Sequence, residues 1–374
     1  MVGLLELRDV DPDVGRPRSG FVVDLMTTVF GVWFTAGLFL DAWAHNNVPE
    51  LESFLTPWHA VFYSGFVATA GWILRAVWPH VRAGRRGLAA VPVGYGLAVL
   101  ALPLFAVAGA VDYLWHTVFG IEQNLTILFS PTHLMLIAAM LLILTSPLRA
   151  AWADPDLPRA PSLRRLLPAV LSTAFSTTLV LLFLQYGNAL TAPARTIVGT
   201  FSFPAHQPAP VETRWRTAGL VLTAVLLVTP LLLLARRWRL PFGTASILHL
   251  AVAALSGAIA QFANLTTVLG VVAAGVAVDL LAVRLAPTAA RRRAYWTFAG
   301  LAPLVTWSLY FGVAAAVAGR LPTVPEIWTG APVVTALLGL LVAAILVPPA
   351  IPPAAPAPTP ARGPTEPVPD DRAR

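Results

Sequence analysis

The sequence contains no cysteine and no lysine, and few of its residues are charged. Without cysteine the chain forms no disulfide and offers no thiolate, so any metal ion must be held by imidazole and carboxylate groups. Only 11% of the 374 residues are charged and 57% are hydrophobic, whereas a soluble domain has about 25% and about 45–50%. This composition excludes an ordinary water-soluble domain and indicates an integral membrane protein.

Apolar stretches of span length recur along most of the chain. Each can cross a hydrocarbon core roughly 30 Å thick as a helix that satisfies its own backbone hydrogen bonds. They predict an all-α integral membrane protein, a bundle of about ten transmembrane helices. The predicted spans are 21–43, 58–78, 91–115, 131–148, 166–190, 217–235, 243–262, 265–285, 295–319 and 331–349. The division between the seventh and eighth spans is the least clearly marked, because few polar residues interrupt that stretch.

The basic residues are all arginine, and their distribution predicts the orientation of the chain. Of the 25 arginines, 21 fall in the two terminal segments and in loops on one side of the predicted spans. By the positive-inside rule this side is the cytoplasm, so both termini are expected there, with the spans in the cell inner (plasma) membrane. The net charge of +7 then reflects membrane topology, and no nucleic-acid partner is implied. Arginine without lysine, with much Ala, Pro and Gly, suggests a GC-rich bacterial genome.

The pattern divides the chain into four parts. Residues 1–20 form a cytoplasmic N-terminal segment that mixes arginine with acidic residues, and the span-length apolar run after it is expected to be retained rather than cleaved as a signal. Residues 21–148 form a four-helix region that contains the candidate site, and residues 149–349 contain six further transmembrane helices. Residues 350–374, rich in Pro and Ala, are expected to be a disordered cytoplasmic tail.

Polar residues in the first four spans follow one pattern twice. The segments DAWAHNNVPELESFLTPWHAVFYSGF, from Asp41, and DYLWHTVFGIEQNLTILFSPTHLMLIAAM, from Asp112, share a skeleton. Each has Asp, three residues and His, then a Glu, then Thr or Ser followed by Pro, any residue and His. Both segments begin at the outer end of an odd-numbered span. They predict a parallel internal repeat that relates spans 1–2 to spans 3–4.

The spacing within each copy predicts a metal site. Asp and His four residues apart lie on one helix face, one turn above the other. The second His follows a hydroxyl residue and Pro, a pattern typical of a helix start with His at the third position, where the helix dipole disfavours a charged imidazole and leaves a lone pair free to ligate. The candidate ligands are Asp41, His45, His59, Asp112, His116 and His133, with Glu50 and Glu122 as candidate residues that orient a ligating His.

The first copy resembles the membrane copper site of the particulate methane and ammonia monooxygenases, the copper membrane monooxygenase family. The resemblance rests on Asp41, three residues and His45, and on His59 within FLTPWHAVFYSGF. It implies that these three residues are copper ligands, and it supports a metal site more strongly than it supports a monooxygenase-like activity. The second copy, with Asp112, His116 and His133, matches the same skeleton less closely, and the resemblance does not extend to the remaining spans.

Several alternatives remain open at this point. Imidazole with carboxylate also suits iron or zinc, and the two copies form one dinuclear site if they face each other or two mononuclear sites if they face apart. A metal-dependent membrane oxidoreductase, or its metal-bearing subunit, is the leading hypothesis. The alternatives are a metal transport or delivery protein and a structural or assembly protein whose Asp–His pairs are internal hydrogen bonds. The expected partners are the lipid bilayer and either other membrane subunits or further copies of the chain.

Overall fold

The computed structural model describes residues 15–48, 56–120, 128–204 and 207–348. All regular structure in these ranges is helical, which confirms the all-α bundle. The helices are α1 (Phe21–Asn47), α2 (Pro57–Arg82), α3 (Gly96–Phe119), α4 (Pro131–Leu144), α5 (Ser146–Ala153), α6 (Leu163–Phe183), α7 (Ala194–Thr200), α8 (Val211–Arg237), α9 (Thr244–Ile259), α10 (Leu265–Leu285), α11 (Arg292–Ala318) and α12 (Pro325–Leu346). The expectations for the first 14 residues, for the tail 350–374 and for Glu50 and Glu122 lie outside the described residues.

Nine helical segments of the described chain are long and apolar enough to cross a membrane, and α4 with α5 counts as one of them. The segment expected as the seventh span is shorter. Its helix α9 has 16 residues and is about 24 Å long at the usual rise of an α-helix, less than the roughly 30 Å of a hydrocarbon core. The ten expected spans are therefore nine full-length helices and one short helix, which ends where Gln261 and Phe262 turn the backbone to positive φ.

The short helix α9 still carries the chain from one end of the bundle to the other. At its C-terminal end, the Gln261 side chain donates a 2.7 Å hydrogen bond to the Asn47 side chain at the end of α1. At its N-terminal end, the Asp279 carboxylate of α10 accepts hydrogen bonds from the backbone N–H of Ala245 and Ser246, at 2.8 and 2.9 Å. The alternation of span directions expected from the sequence is thereby kept.

Replacement of Asp279 tests how much this carboxylate stabilises α9. Asp279 is fully buried, and it also accepts a 2.6 Å bond from the Ser246 hydroxyl. Asp279→Asn places an NH₂ group against those donors, so we expect the free energy of unfolding to fall by about 2 kcal/mol. The measurement is thermal unfolding in detergent. Asp156→Asn is the control, because Asp156 is exposed and, in the described part of the chain, its carboxylate pairs with exposed Arg18. An equal loss in both variants would contradict the prediction.

The buried apolar residues of the described chain form two cores. One core lies among α1 to α5 and is built around Phe34, Phe62 and Phe105. The other lies among α6 to α12 and contains Trp238 and Trp307. Helix α6 contributes to both cores and packs against α1, α4, α5, α8 and α9. The candidate metal ligands all belong to helices of the first core.

Helices α1 and α2 pack as an antiparallel pair whose backbones touch at two glycines. A Cβ on Gly65 would lie 2.6 Å from the Cα of Phe34, and a Cβ on Gly37 would lie 2.7 Å from the Cα of Phe62. No side chain fits at either position without displacement of the partner helix. Asp41 lies four residues after Gly37 on α1. The close contact of Gly37 with Phe62 therefore sets the position of Asp41 relative to the start of α2.

Candidate metal centres

The second histidine of each set stands in the first turn of a capped helix. The Thr56 hydroxyl accepts a 3.1 Å hydrogen bond from the backbone N–H of His59, and the Ser130 hydroxyl accepts one of the same length from that of His133. A proline follows each hydroxyl residue as the first helical residue. The helix starts expected from the sequence are thus confirmed. Each hydroxyl also contacts the Nδ1 atom of the same histidine, at 3.0 and 2.6 Å, and so fixes the ring.

The first triad is formed by Asp41 and His45 of α1 with His59 of α2. The Oδ2 atom of Asp41 lies 3.9 Å from Nε2 of His45, and its Oδ1 atom lies 3.6 Å from Nε2 of His59. The two imidazole rings stand 5.7 Å apart and nearly perpendicular, at 78°. Asp41 and His59 are buried, and His45 is partly buried. One carboxylate thus turns an oxygen towards each of two imidazoles.

The second triad repeats this arrangement with Asp112 and His116 of α3 and His133 of α4. The Oδ2 atom of Asp112 lies 3.6 Å from Nε2 of His116, and its Oδ1 atom lies 3.8 Å from Nδ1 of His133. The ring centroids are 5.6 Å apart and the rings meet at 67°. The two triads therefore share one geometry with one difference. In the second triad the carboxylate oxygen approaches Nδ1, rather than Nε2, of the histidine in the first turn of the capped helix. Asp112 is the more deeply buried carboxylate, at 1% exposure against 8% for Asp41.

The distances within the triads suit a shared ion better than direct hydrogen bonds. All four carboxylate-to-imidazole distances lie between 3.6 and 3.9 Å, beyond the normal limit of about 3.2 Å for a hydrogen bond between nitrogen and oxygen. Two ligand atoms that are each about 2.1 Å from one ion, at tetrahedral or trigonal angles, stand about 3.4–3.6 Å apart. In each triad one ligand atom per residue lies within 4.8 Å of the others, so the three residues are close enough to share one ion.

The protonation of His116 supports this interpretation. Its Nδ1 lies 3.2 Å from the carbonyl oxygen of Gly120, and because a carbonyl only accepts, Nδ1 carries the hydrogen. With the hydrogen on Nδ1, Nε2 presents a lone pair towards the carboxylate of Asp112, an arrangement that a bound cation makes favourable. The Oδ1 atom of Asp112 is buried, and within the described residues it has no hydrogen-bond partner. This donor set fits a metal ion.

Tyr63 lies between the two triads and was not singled out by the sequence pattern. Its ring stacks on His59 with 6.2 Å between centroids. On the other side it packs against Gly109 of α3, where an added Cβ would lie 3.1 Å from the tyrosine hydroxyl. Tyr63 thus contacts one residue from the helix pair of each triad. The two triads are therefore neighbours, each completed by its own helix pair. In the sequence, Tyr63 is marked by its four-residue spacing from His59 and by its place in the segment FLTPWHAVFYSGF.

Polar residues elsewhere in the described chain serve helix contacts. The Asn188 side chain donates to the Ser256 hydroxyl at 3.0 Å, and the Asn264 side chain donates to the carbonyl of Leu190 at 2.6 Å. The buried His249 contacts a backbone carbonyl of its own helix. In the ranges that the structure describes, clusters of three or more His, Asp or Glu side chains suited to a metal occur only at the two triads.

Fold and site together define a polytopic helical membrane protein with two groups of His and Asp that could bind a metal ion. Comparisons of the chain with protein-family models, with curated proteins and with solved structures found no match. The resemblance to the copper membrane monooxygenases therefore rests on the sequence motif alone.

Proposed function

We propose that this chain is a membrane metalloprotein with two mononuclear His₂Asp centres, that copper is the ion, and that the centres serve a membrane oxidoreductase or its metal-bearing subunit. The observation that carries the proposal is the repeated triad, whose nitrogen and oxygen atoms are spaced for a shared ion. An internal duplication of spans 1–2 accounts for two centres of the same geometry. The arginine distribution supports an orientation with the centres at the extracytoplasmic face of the inner membrane.

The residues of each centre have distinct roles in this proposal. The imidazoles of His45 and His59, or of His116 and His133, donate lone pairs, and the aspartate balances part of the positive charge. The cap hydroxyls of Thr56 and Ser130 hold one histidine of each pair in position, as groups beyond the ligands commonly do. Three protein ligands leave coordination positions open, so a bound copper ion would supply redox chemistry to a substrate there.

Two features of the structure favour fixed centres over metal transport. Transport requires a series of ligands through the membrane, and the carboxylates nearer the opposite end, half-buried Asp24 of α1 and buried Asp279 of α10, are engaged elsewhere. Asp24 accepts a 2.7 Å hydrogen bond from the Tyr95 hydroxyl, and Asp279 holds the start of α9. A purely structural role for the triads is also less well supported, because direct Asp–His hydrogen bonds would be shorter than the distances observed.

Metal content tests the proposal directly. Elemental analysis of the purified, detergent-solubilised protein is expected to give two copper ions per chain in the wild type. His45→Ala and His116→Ala are each expected to retain one ion, and the double variant none, because each removes one of three ligands from a single centre. His80→Ala is the control, since His80 belongs to neither triad. A wild-type protein that is purified without any chelator and still contains no metal would overturn the proposal.

Spectroscopy distinguishes copper from the other ions that suit this ligand set. Oxidised copper gives an electron paramagnetic resonance signal, whose splitting by imidazole nitrogen should be simplified in His45→Ala and His116→Ala. Loss of the signal on reduction and its return on reoxidation are expected for an oxidoreductase centre. Two zinc ions per chain with no such signal would support the metal sites, but would contradict both the assignment of copper and the proposed redox chemistry.

A further inference from the structure

A basic cleft of 670 Å³ opens at the end of the bundle opposite the triads. It is lined by Arg236 and Arg237 from the last turn of α8, by Arg159 from the connection between α5 and α6, and by Thr288 from the connection between α10 and α11. No Asp or Glu among the described residues lines it. The cleft therefore concentrates positive charge where three segments of the second core meet.

Two tryptophans hold one of these arginines in place. The Cζ atom of Arg237 lies 5.7 Å from the ring centre of Trp152 and 5.2 Å from that of Trp238, in cation–π contact with both. The two indoles meet edge to face with 5.2 Å between their centroids. Arg237 Nη2 also donates a 2.9 Å hydrogen bond to the backbone carbonyl of Asp154. The guanidinium is thus fixed before any ligand arrives, which reduces the entropy lost on binding.

Two residues that line this cleft carry a buried hydrogen-bond donor with no acceptor in the described part of the chain. Trp238 is fully buried, and its Nε1 has no hydrogen-bond partner among the residues that the structure describes. The same holds for Nε of Arg237. Both groups can only donate, and a buried donor without an acceptor is unfavourable. An anion with several oxygen atoms in the cleft would neutralise the arginines together, and the buried donors add to the positive potential that it meets there.

We propose that this cleft binds a phosphate group, the headgroup of an anionic membrane phospholipid. Planar guanidinium groups bind phosphate through paired hydrogen bonds. The cleft lies at the ends of the membrane-spanning helices α8 and α10, the level at which phospholipid headgroups meet a protein, and basic pockets between transmembrane helices bind such headgroups. The position of the cleft therefore favours a lipid over a soluble phosphate. This proposal is independent of the metal centres.

Lipid titrations followed by native mass spectrometry test the assignment. We expect phosphatidylglycerol to bind the wild-type protein and phosphatidylcholine to bind far more weakly. Arg159→Gln with Arg236→Gln should weaken phosphatidylglycerol binding by about 25-fold, about fivefold for each arginine. Both arginines are exposed, so the double variant should fold. Arg239→Gln is the matched control, because Arg239 is an exposed neighbour that does not line the cleft.

Three results would overturn the assignment. Equal binding of the two lipids would show that the charge of the headgroup does not determine binding. Unchanged phosphatidylglycerol binding in the double variant would show that the lipid does not bind in this cleft. The third is a thermal-shift result. If inorganic phosphate at millimolar concentration raises the unfolding temperature as much as phosphatidylglycerol does, and the double variant abolishes both effects, the ligand is a soluble phosphate and not a lipid.

Discussion

Asp112→Asn is expected to empty the second centre of its ion and to leave the first centre occupied. The carboxylate of Asp112 is the only anionic ligand that the described residues supply to this centre, and it contacts both His116 and His133. Its replacement by a neutral amide should weaken metal binding by more than about a hundredfold, since even the loss of a residue that only orients a ligand costs about 10- to 100-fold. Elemental analysis should then find one ion per chain instead of two.

The same variant separates a metal centre from a structural hydrogen-bond network. In a network without metal, the new amide could donate to Nε2 of His116, whose Nδ1 is held by the carbonyl of Gly120, and thermal stability would be kept or raised. In a metal centre the unfolding temperature should fall, because the bound ion no longer stabilises the folded state. Asp156→Asn, an exposed change, serves as the control. Two ions per chain in Asp112→Asn would contradict the ligand role of Asp112.

Gly65→Ala should destabilise the protein and selectively disrupt the first centre. The added Cβ would meet the backbone of Phe34 at 2.6 Å, so α1 and α2 must separate, which we expect to lower the free energy of unfolding by about 3 kcal/mol. Separation moves Asp41 and His45 away from His59, whereas α3 and α4 keep the second triad. The expected result is a lower unfolding temperature with one ion per chain.

Gly71→Ala is the matched control for this prediction. Gly71 lies on the same helix, and an added Cβ there meets no atom within 4 Å. This change should leave the metal content at two ions per chain and slightly favour the helix, since Ala has the higher helix propensity. If Gly65→Ala and Gly71→Ala retain equal metal and equal stability, the close contact between α1 and α2 does not position the first centre.

The sequence predicts the triads well because their geometry is largely local. Two ligands of each triad stand four residues apart on one helix, and the third is fixed by a cap that spans three residues, so that only one helix contact remains to be formed. Asp41 and His59 meet through such a contact, at Gly37 and Gly65. The fold class can be predicted for a similar reason. A long apolar run forms a transmembrane helix through its own backbone hydrogen bonds, without contacts to distant parts of the chain.

Features that arise from tertiary structure could not be predicted in this way. Hydropathy extends the seventh span to residue 262, whereas the backbone turns at Gln261, which reaches Asn47 on a distant helix. Tyr63 gains its place between the triads from Gly109, a residue of another helix pair. The basic cleft likewise forms because Arg159 lies next to the end of α8. This proximity of segments distant in sequence cannot be predicted from a local sequence pattern.

Because the two triads are neighbours, the ion that binds first is expected to weaken the binding of the second ion at the proposed centres. A first cation would be attracted by both aspartates, because Tyr63 contacts His59 of one triad and Gly109 on the helix of Asp112. Once it is bound, the positive charge it adds opposes the approach of the second cation. By thermodynamic linkage the effect is the same whichever centre fills first. If both centres bind a cation, loading is therefore expected to be negatively cooperative. Over a range of low metal concentrations the protein should then carry a single ion.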